Sequence, residues 1–168
     1  MKKLIVLLAL FAMPVAGSAL MLSEGMNEAA LSGVVDLNSA AGTKIDLDLF
    51  YGRFITDDIE AGGTLTYRDD NNYTLFAIGP AVDYNFDTGM AVIPYVGAAC
   101  QFAQADLEND DHTALDFGLE GGVKVFVTEC IAVSAALKLD YATESIYQDK
   151  DHLTDNDARI EIGLRAFF

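Results

Sequence analysis

Strict alternation of apolar and polar residues at the end of the chain is the feature that most constrains its fold. Over residues 159–168, one set of alternate positions is apolar: Ile160, Ile162, Leu164, Ala166 and Phe168. The intervening positions are charged or small: Arg159, Glu161, Gly163 and Arg165. Because successive side chains of a strand point to opposite faces, this pattern predicts a strand with one apolar face that ends on an aromatic residue.

The same alternation recurs in earlier segments along most of the chain. These segments lie at residues 31–37, 44–52, 59–68, 76–86, 94–102, 115–125 and 131–141. A length of about ten residues suits tilted membrane-crossing strands. Hydrophobic residues make up 52% of the sequence, but after residue 19 no apolar run is long enough for a membrane-spanning helix. The sequence therefore predicts an all-β fold, an eight-stranded antiparallel up-and-down transmembrane β-barrel.

The first nineteen residues have the layout of a secretory signal peptide. Lys2 and Lys3 form a basic start, residues 4–16 are apolar, and residues 17–19 are small, as a cleavage site requires. The apolar stretch contains Pro14 and is too short to span a bilayer as a helix. We therefore expect a signal peptide at 1–19, a short N-terminal lead at 20–28 and the barrel at 29–168.

An internal repeat supports the strand count. The segment Phe-Ile-Thr-Asp-Asp-Ile at 54–59 recurs as Phe-Val-Thr-Glu-Cys-Ile at 126–131, and each copy joins one alternating segment to the next. Thr and Asp side chains supply the local hydrogen bonds of tight turns. The connections at 54–58, 87–91 and 126–130 are tight, and those at 38–43, 69–72, 104–112 and 142–157 form the other set, whose last two members are long and acidic. This asymmetry predicts a periplasmic rim of turns and an extracellular rim of loops.

Alternation alone does not show which face meets lipid, because a soluble lipocalin-like barrel turns its apolar face inward. Here the polar face is rich in small residues and carries charges of both signs, as a narrow lumen requires. Aromatic residues also gather near strand ends, which is typical of girdles at the membrane interfaces. The predicted girdle residues are Tyr51, Tyr67, Tyr73, Tyr84, Phe86, Phe102 and Tyr141, with Phe54, Phe126 and Phe168 also expected at the turn rim.

A barrel of about eight strands has an interior that side chains can fill. Buried charges are costly unless they are paired, so we expect the lumenal acids and bases to form one interlocked network. Its predicted members are Glu120, Lys124, Lys138, Asp140, Arg159, Glu161 and Arg165. A structural role is the ordinary one for such pairs, and a water or proton path is the alternative.

The formal net charge of −16 disfavours nucleic acid as a partner, because phosphates are bound by Lys and Arg. Acidic residues cluster in two predicted outer loops: Asp106, Glu108, Asp110 and Asp111 in one, and Asp149, Asp151, Asp155 and Asp157 in the other. A solvated acidic surface and a weak calcium site that bridges to lipopolysaccharide phosphate both fit these clusters. The histidines, His112 and His152, lie in the same loops without a nucleophile motif, so we expect no catalytic residues, metal or cofactor.

Taken together, the turns at 54–59 and 126–131, the Ile-Pro-Tyr-Val-Gly-Ala segment at 93–98 and the terminal Phe168 resemble the small outer-membrane β-barrel domain family. Its relatives in architecture are barrels of the OmpX, OmpW and OmpA type. The resemblance covers the whole chain after the signal peptide and implies a place in the bacterial outer membrane. It also implies that Ile162, Leu164 and Phe168 form the signal read by the barrel assembly machinery.

The resemblance leaves three functions open. The first is a structural or surface-interaction barrel whose acidic loops meet lipopolysaccharide, an extracellular protein or another surface partner. The second is OmpW-like passage of a small apolar solute, which a polar lumen opposes and a hydrophobic upper pocket favours. The third is lipid A modification, since outer-membrane acyltransferases and deacylases use the same scaffold.

Overall fold

The alternating segments become strands in the computed structural model, which describes residues 22–39, 42–70, 73–107, 110–149 and 152–168. The strands are β1 (Asn27–Ser39), β2 (Gly42–Phe54), β3 (Ile59–Asp70), β4 (Tyr73–Asn85), β5 (Val92–Leu107), β6 (Asp110–Phe126), β7 (Ile131–Ala142), β8 (Tyr147–Asp149), β9 (His152–Thr154) and β10 (Asn156–Phe167). Among the described residues, no helix is long and apolar enough to cross a membrane.

Eight of these strands close into an antiparallel barrel. Strands β1 to β6 each pair with the next strand along the chain, β7 pairs with β10, and β10 pairs back with β1. The closing pair matches Leu31 with Leu164 and Ala29 with Ala166. The short strands β8 and β9 pair only with each other, so they form a separate hairpin between β7 and β10. The predicted fold class is confirmed.

Several predicted boundaries shift. Strand β1 begins at Asn27, so Glu28 belongs to the barrel and not to the lead. The predicted loop at 104–112 is wrong, because β5 and β6 stay paired out to Leu107 and Asp110. The predicted loop at 142–157 contains the β8–β9 hairpin and the start of β10. The predicted signal peptide lies outside the described residues.

The repeated turns have matching hydrogen bonds. The amide of Ile55 donates to the Ile59 carbonyl at 2.8 Å, and the Ile59 amide donates to Thr56 Oγ1 at 2.9 Å. In the second copy, Val127 donates to the Ile131 carbonyl at 2.9 Å, and Ile131 donates to Thr128 Oγ1 at 3.0 Å. The threonine hydroxyl thus satisfies an amide that the ladder leaves free.

The outer wall of the barrel is apolar and the interior is polar at mid-height. Large hydrophobic side chains are exposed on the outer face of most strands, among them Leu49, Ile78, Val96, Leu119, Leu137 and Ile162. Residues one position away in the same strands are buried, including Asp48, Gly97, Lys138 and Glu161. The apolar-out, polar-in arrangement is that of a barrel whose wall meets lipid.

Candidate functional site: the barrel lumen

The turn end of the lumen is closed by an apolar cluster, which we call the inner seal. It consists of Leu22, Phe54, Ile93, Phe126, Ala132 and Phe167. The ring of Phe167 lies 4.9 Å from that of Phe126 and 6.5 Å from that of Phe54, centroid to centroid. Each copy of the repeated turn therefore supplies its first residue, a phenylalanine, to the inner seal.

Directly inside this seal lies the inner charge cluster, defined as Glu28, Glu60, Asp83, Glu120, Lys124 and Arg165. Lys124 is fully buried, and its Nζ lies 2.7 Å from Glu28 Oε2, 3.5 Å from Glu60 Oε2 and 3.9 Å from Asp83 Oδ2. The same ammonium group lies 4.9 Å from the centroid of the Tyr95 ring. An aromatic face and three carboxylates thus replace the water that this cation would otherwise bind.

Arg165 completes the inner charge cluster from β10. Its Nη1 lies 2.5 Å from Glu28 Oε1, and its Nη2 donates a hydrogen bond of 2.6 Å to Tyr95 Oη. Gly97 makes room for the surrounding acids, since a Cβ there would lie 2.4 Å from Asp83 Oδ1 and 2.8 Å from Glu120 Cγ. The cluster therefore depends on the missing side chain at 97 as well as on its charges.

Nearer the loop end lies the outer charge cluster, defined as Asp46, Asp48, Arg68, Lys138, Asp140, Asp157, Arg159 and Glu161. Lys138 Nζ lies 3.0 Å from Asp48 Oδ1 and 3.9 Å from Glu161 Oε1. Arg159 binds Glu161 Oε1 at 2.5 Å through Nε and also binds Asp140 through Nη1. Asp48 accepts a further hydrogen bond from Thr66, so charged and neutral donors share its oxygens.

Arg68 ties the outer charge cluster to the loop end. Its Nη1 lies 2.9 Å from Asp157 Oδ2, and its Nε lies 3.4 Å from Asp46 Oδ1. The guanidinium carbon also lies 5.2 Å from the centroid of the Tyr147 ring. Arg68 therefore joins a strand-borne charge cluster to a residue of the β8–β9 hairpin.

A small cavity separates the two charge clusters. Its volume is about 40 Å³, which is room for roughly three water molecules. Charged residues of both clusters line it: Asp48, Asp83, Glu120, Lys138, Glu161 and Arg165. Among the described residues, no ion pair crosses from one cluster to the other. A cavity with these polar walls is suited to hold water.

The loop end of the lumen is apolar again. We call this the outer apolar cluster: Tyr73, Leu75, Ala77, Ala103, Ala105, Ala114, Ala142, Ile146 and Tyr147. Ile146 and Tyr147 come from the connection that carries the β8–β9 hairpin, and both are buried. The hydroxyl of Tyr73 donates a 2.5 Å hydrogen bond to the Ile146 carbonyl. Burial and the nearby carboxylates of Asp140 and Asp116 raise the pKa of the Tyr147 hydroxyl, so it stays protonated.

The structure divides the residues of the predicted network between the two clusters. It places Glu120, Lys124 and Arg165 in the inner cluster. It places Lys138, Asp140, Arg159 and Glu161 in the outer cluster. The alternation of the sequence also placed Asp48 and Arg68, two further members of the outer charge cluster, on the polar face, but it did not predict their ion-pair partners. Glu28 was missed, although the spacing of Glu28, Ala30 and Ser32 continues the inward-facing positions of β1.

The predicted aromatic girdle needs correction. The structure places six of its residues on the outer surface: Tyr51, Tyr67, Tyr84, Phe86, Phe102 and Tyr141. Tyr73 is wrong, because its ring is buried in the outer apolar cluster. Phe54 and Phe126 are also wrong, because they face inward in the inner seal. Each of the three begins or ends a strand at a position whose side chain faces the lumen. A prediction based only on closeness to a rim overlooks this.

The residues of the predicted assembly signal lie on the outer face of β10. Ile162, Leu164 and Phe168 are exposed, while Phe167, next to Phe168, is buried in the inner seal. The amide of Phe168 donates to the Asn27 carbonyl at 3.0 Å, and the Asn27 amide donates to the Phe168 carbonyl at 2.7 Å. The last residue is therefore joined to the start of β1 while its ring points outward.

The outer loops are described only in part. Asp106 and Asp111 are exposed, but Asp157 turns into the lumen and pairs with Arg68 and Arg159, so its expected place in the second acidic loop is wrong. Glu108 and Asp151 lie outside the described residues. Within the described part of the chain, no group of three or more His, Cys, Asp or Glu residues could hold a metal ion. Cys100 and Cys130 are free thiols.

The chain matches one protein family and resembles several solved structures. Residues 4–168 match the family described as outer membrane protein beta-barrel domain. Among solved structures, Neisserial surface protein A is similar with a TM-score of 0.64 and 23% identity, covering 86% of this chain and 98% of that one. The N-terminal β-barrel domain of Pseudomonas aeruginosa OprF is similar with a TM-score of 0.62 and 17% identity, covering 87% of this chain and 98% of that one. Ail of Yersinia pestis is similar with a TM-score of 0.51 and 12% identity, covering 86% of this chain and 99% of that one.

None of the curated proteins matches this chain significantly in sequence. The solved structures share less than a quarter of their residues with it, so they establish the fold and not a specific activity. The family match extends over nearly the entire sequence, including every barrel strand. The chain therefore belongs to the outer membrane protein β-barrel domain family, and it is a bacterial outer-membrane protein.

Proposed function

We propose that this protein is a structural, closed barrel that holds an acidic surface at the outer face of the membrane. The observation that carries the proposal is the filling of the lumen at each level. From the turn end upwards, the interior holds the inner seal, the inner charge cluster, the cavity of about 40 Å³, the outer charge cluster and the outer apolar cluster. A barrel filled in this way anchors what its rims present, and it offers no passage for a hydrated solute.

The outer rim is the surface that we propose makes contacts. Asp106, Asp111 and Glu144 are exposed there, and the chain as a whole carries a formal net charge of −16. Lipopolysaccharide is also anionic, so a divalent cation must bridge the two if they associate. A basic patch on an extracellular protein would meet the same rim directly, with strong dependence on salt.

A charge-neutralised rim tests the surface role. The variant carries Asp106→Asn, Asp111→Asn and Glu144→Gln, and a matched control carries the same number of neutralised acids at the opposite rim: Asp57→Asn, Asp87→Asn and Glu129→Gln. Binding of the purified barrel to lipopolysaccharide micelles is measured with and without Mg²⁺. We expect Mg²⁺-dependent binding that the outer-rim variant weakens and the inner-rim control retains. Equal binding by both variants would contradict a role for the outer acids.

Single-channel recording in planar bilayers tests the closed lumen. We expect the wild-type barrel to show no steady conductance, because charged and apolar side chains fill the interior. A stable open channel in most insertions would contradict the structural proposal. The gel-mobility difference between boiled and unboiled samples controls for correct folding.

Passage of a small apolar solute has one observation in its favour, the apolar character of the outer third of the lumen. That space is occupied by Ile146 and Tyr147, and the charge clusters lie directly beneath it. We therefore rank passage below the structural role. Lipid A modification is tested by mass spectrometry of lipid A from cells with and without the protein, and we expect identical spectra.

A further inference from the structure

A row of inward-facing residues crosses the neighbouring strands β3 to β7 beside the central cavity. The register pairs Glu60 with Asp83, Asp83 with Gly97, Gly97 with Glu120, and Glu120 with Lys138. Side chains paired in this way are neighbours on one face of a sheet. The row therefore sets two acids, Asp83 and Glu120, on either side of a glycine, and both acids line the cavity.

Gly97 leaves the space between these two acids open. A Cβ at position 97 would lie 2.4 Å from Asp83 Oδ1 and 3.2 Å from Glu120 Oε1. Both carboxyl groups therefore lean over the glycine, into the space that a side chain there would fill. Two carboxylates held so close in a buried site repel each other strongly.

The strands that flank this pair bring a further acid and a lysine that is already engaged. On β3 the neighbour of Asp83 is Glu60. On β7 the neighbour of Glu120 is Lys138, but its Nζ lies 3.0 Å from Asp48 Oδ1, in the outer charge cluster. The ladder neighbours thus leave the pair to find its compensation elsewhere.

One guanidinium group faces both acids. Arg165 Nη1 lies 3.6 Å from Asp83 Oδ2, and Arg165 Nη2 lies 3.7 Å from Glu120 Oε1. Both distances exceed that of a hydrogen bond. The short contacts of Arg165 go instead to Glu28 Oε1 at 2.5 Å and to Tyr95 Oη at 2.6 Å. A single positive charge at this distance can compensate one carboxylate of the pair.

Asp83 keeps an oxygen that no donor satisfies. Its Oδ2 is buried without a hydrogen-bond partner, and the residue is only 3% exposed. Lys124 Nζ lies 3.9 Å from this oxygen and 2.7 Å from Glu28 Oε2. A buried carboxylate oxygen without a donor is costly, whereas a hydrogen bond from a protonated carboxyl group to a carboxylate is among the strong ones.

We propose that Asp83 and Glu120 share one proton in the folded barrel at neutral pH, as a carboxyl–carboxylate pair held over Gly97. The proton removes one of the two negative charges, and Arg165 compensates the other. The site goes beyond the structural role proposed above, and it does not depend on what the outer rim binds. The closed lumen thereby contains a pH-sensitive element, because loss of the proton leaves two carboxylates facing each other.

Other charged and titratable groups face the pair from the remaining strands. The acids are Glu28 on β1, Asp48 on β2, Glu60 on β3 and Glu161 on β10. The cations are Lys124 on β6, Lys138 on β7 and Arg165 on β10, and Tyr95 on β5 is the neutral donor and acceptor beside them. Because acids outnumber cations around the pair, these surroundings favour retention of the proton.

The effect on stability follows from the number of bound protons. In the unfolded chain both carboxyl groups are ionised above about pH 4. The folded barrel binds one proton more than the unfolded chain, up to the pH at which the pair releases it. Within this window the unfolding equilibrium constant rises about tenfold for each pH unit, so the contribution of the pair to stability falls as the pH rises.

Amide variants test the shared proton, since they keep the shape of each side chain. Asp83→Asn and Glu120→Gln each leave one carboxyl group, which Arg165 can compensate without a proton. Urea unfolding in detergent micelles is followed by circular dichroism at about pH 5 and about pH 7, inside the window. Infrared spectra of the folded barrel at the higher pH record the carbonyl stretch of protonated carboxyl groups.

Between the two pH values, the unfolding equilibrium constant of the wild type should rise roughly a hundredfold more than that of either amide variant. Both variants should lose the same protonated-carboxyl band, because the band belongs to the pair. Glu28→Gln removes a carboxylate that binds both Lys124 and Arg165, so it should unfold at lower urea concentration at either pH. Asp87→Asn, at an exposed turn acid, is the control and should keep the wild-type pH dependence and band.

Three results would overturn the proposal. The same pH dependence in the wild type and in both amide variants would show that the pair binds no extra proton. A band that only one variant removes would assign the proton to a single side chain. Unfolding of Asp83→Asn and Glu120→Gln at urea concentrations as low as that of Glu28→Gln would show that the barrel needs both negative charges.

Discussion

Replacing Lys124 with methionine tests whether the inner charge cluster stabilises the barrel or only occupies its interior. Methionine keeps much of the length and volume of the lysine stem and removes the charge. The lysine is fully buried, and its Nζ lies 2.7 Å from Glu28 Oε2 and 3.5 Å from Glu60 Oε2. After the substitution, Arg165 is the remaining cation in the cluster, so the acids there lose much of their compensation.

The contact distances set the scale of the effect. At an effective dielectric constant of about 20, charges at these two separations attract by about 6 and about 5 kcal/mol. The net loss is smaller, because the substitution also removes the cost of burying the ammonium group. Breaking a buried pair in this way lowers the free energy of unfolding by about 3–5 kcal/mol, and we expect that loss for Lys124→Met.

The assay is reversible urea unfolding of the barrel in detergent micelles. Far-ultraviolet circular dichroism is the signal, because the chain has no tryptophan for fluorescence. Adding Glu60→Gln to Lys124→Met removes one uncompensated acid and should recover part of the lost stability. The control is Arg53→Met, which removes an exposed charge from β2 at the turn end of the barrel. It should change the free energy of unfolding by less than about 0.5 kcal/mol.

One pattern of results would refute the electrostatic argument. If Lys124→Met unfolds at the urea concentration of the wild type and Glu60→Gln adds nothing, water must hydrate these groups inside the barrel. The acids would then be screened, and the inner cluster would not close the lumen by its charges.

Five further variants, one of them a control, probe the wall, the turns and the terminus. Gly122→Ala should destabilise the barrel by about 1–3 kcal/mol in the same assay, because a Cβ there lies 2.5 Å from the Ala135 carbonyl oxygen. Gly121→Ala, with nothing within 4 Å, should be neutral, and equal losses would contradict the packing argument. Thr128→Val should cost about 1 kcal/mol, since it removes the hydroxyl that accepts from the turn amides; an unchanged midpoint would oppose this. Leu119→Arg, on the outer wall, should cost about 2–4 kcal/mol in lipid vesicles if it lies near the midplane, and tolerance would place the residue elsewhere. Deleting Phe168 should lower the yield of heat-modifiable barrel in the outer membrane; a normal yield would contradict the assembly signal.

The barrel was predictable because each of its eight strands carries the two-residue period over most of its length. The strand β10 shows this most clearly, with Ile162 and Leu164 outward and Glu161 and Arg165 inward. The closure of the barrel follows from the same pattern. An apolar outer wall places the strands in lipid, where the backbone groups of an open sheet edge would have no hydrogen-bond partner. The repeated threonine turns fixed the positions of two connections independently of the strands.

The errors in the sequence predictions have different physical causes. Tyr73 was assigned to the girdle from its position near a rim, although its parity places it inside. The position of Ile146 and Tyr147 inside the barrel depends on how a connection folds back, and no periodic signal in the sequence reports that. Asp157 was counted with the loop acids because β10 begins earlier than its clear alternation does.

The partners within the lumen were equally inaccessible to the sequence. Lys124 and Glu28 are separated by 96 residues and lie on strands that do not pair. Alternation places both inside, but the tilt and stagger of the closed barrel decide which side chains meet. Gly97 shows the same limit, since its role is to leave space for Asp83 and Glu120 on the neighbouring strands.

The ion pairs that cross the lumen add something that the ladder does not supply. Backbone pairing joins each strand only to its neighbours. An unclosed sheet of the same strands would therefore keep the backbone hydrogen bonds of every strand pair except the closing one. Lys124 on β6 meets Glu28 on β1, and Glu28 also meets Arg165 on β10, across the junction that closes the barrel. These contacts are complete only when β1 and β10 are paired, so an open sheet would leave Glu28 without its partners. The charges of the inner cluster therefore favour the closed barrel over partly assembled forms that already hold most of its backbone hydrogen bonds.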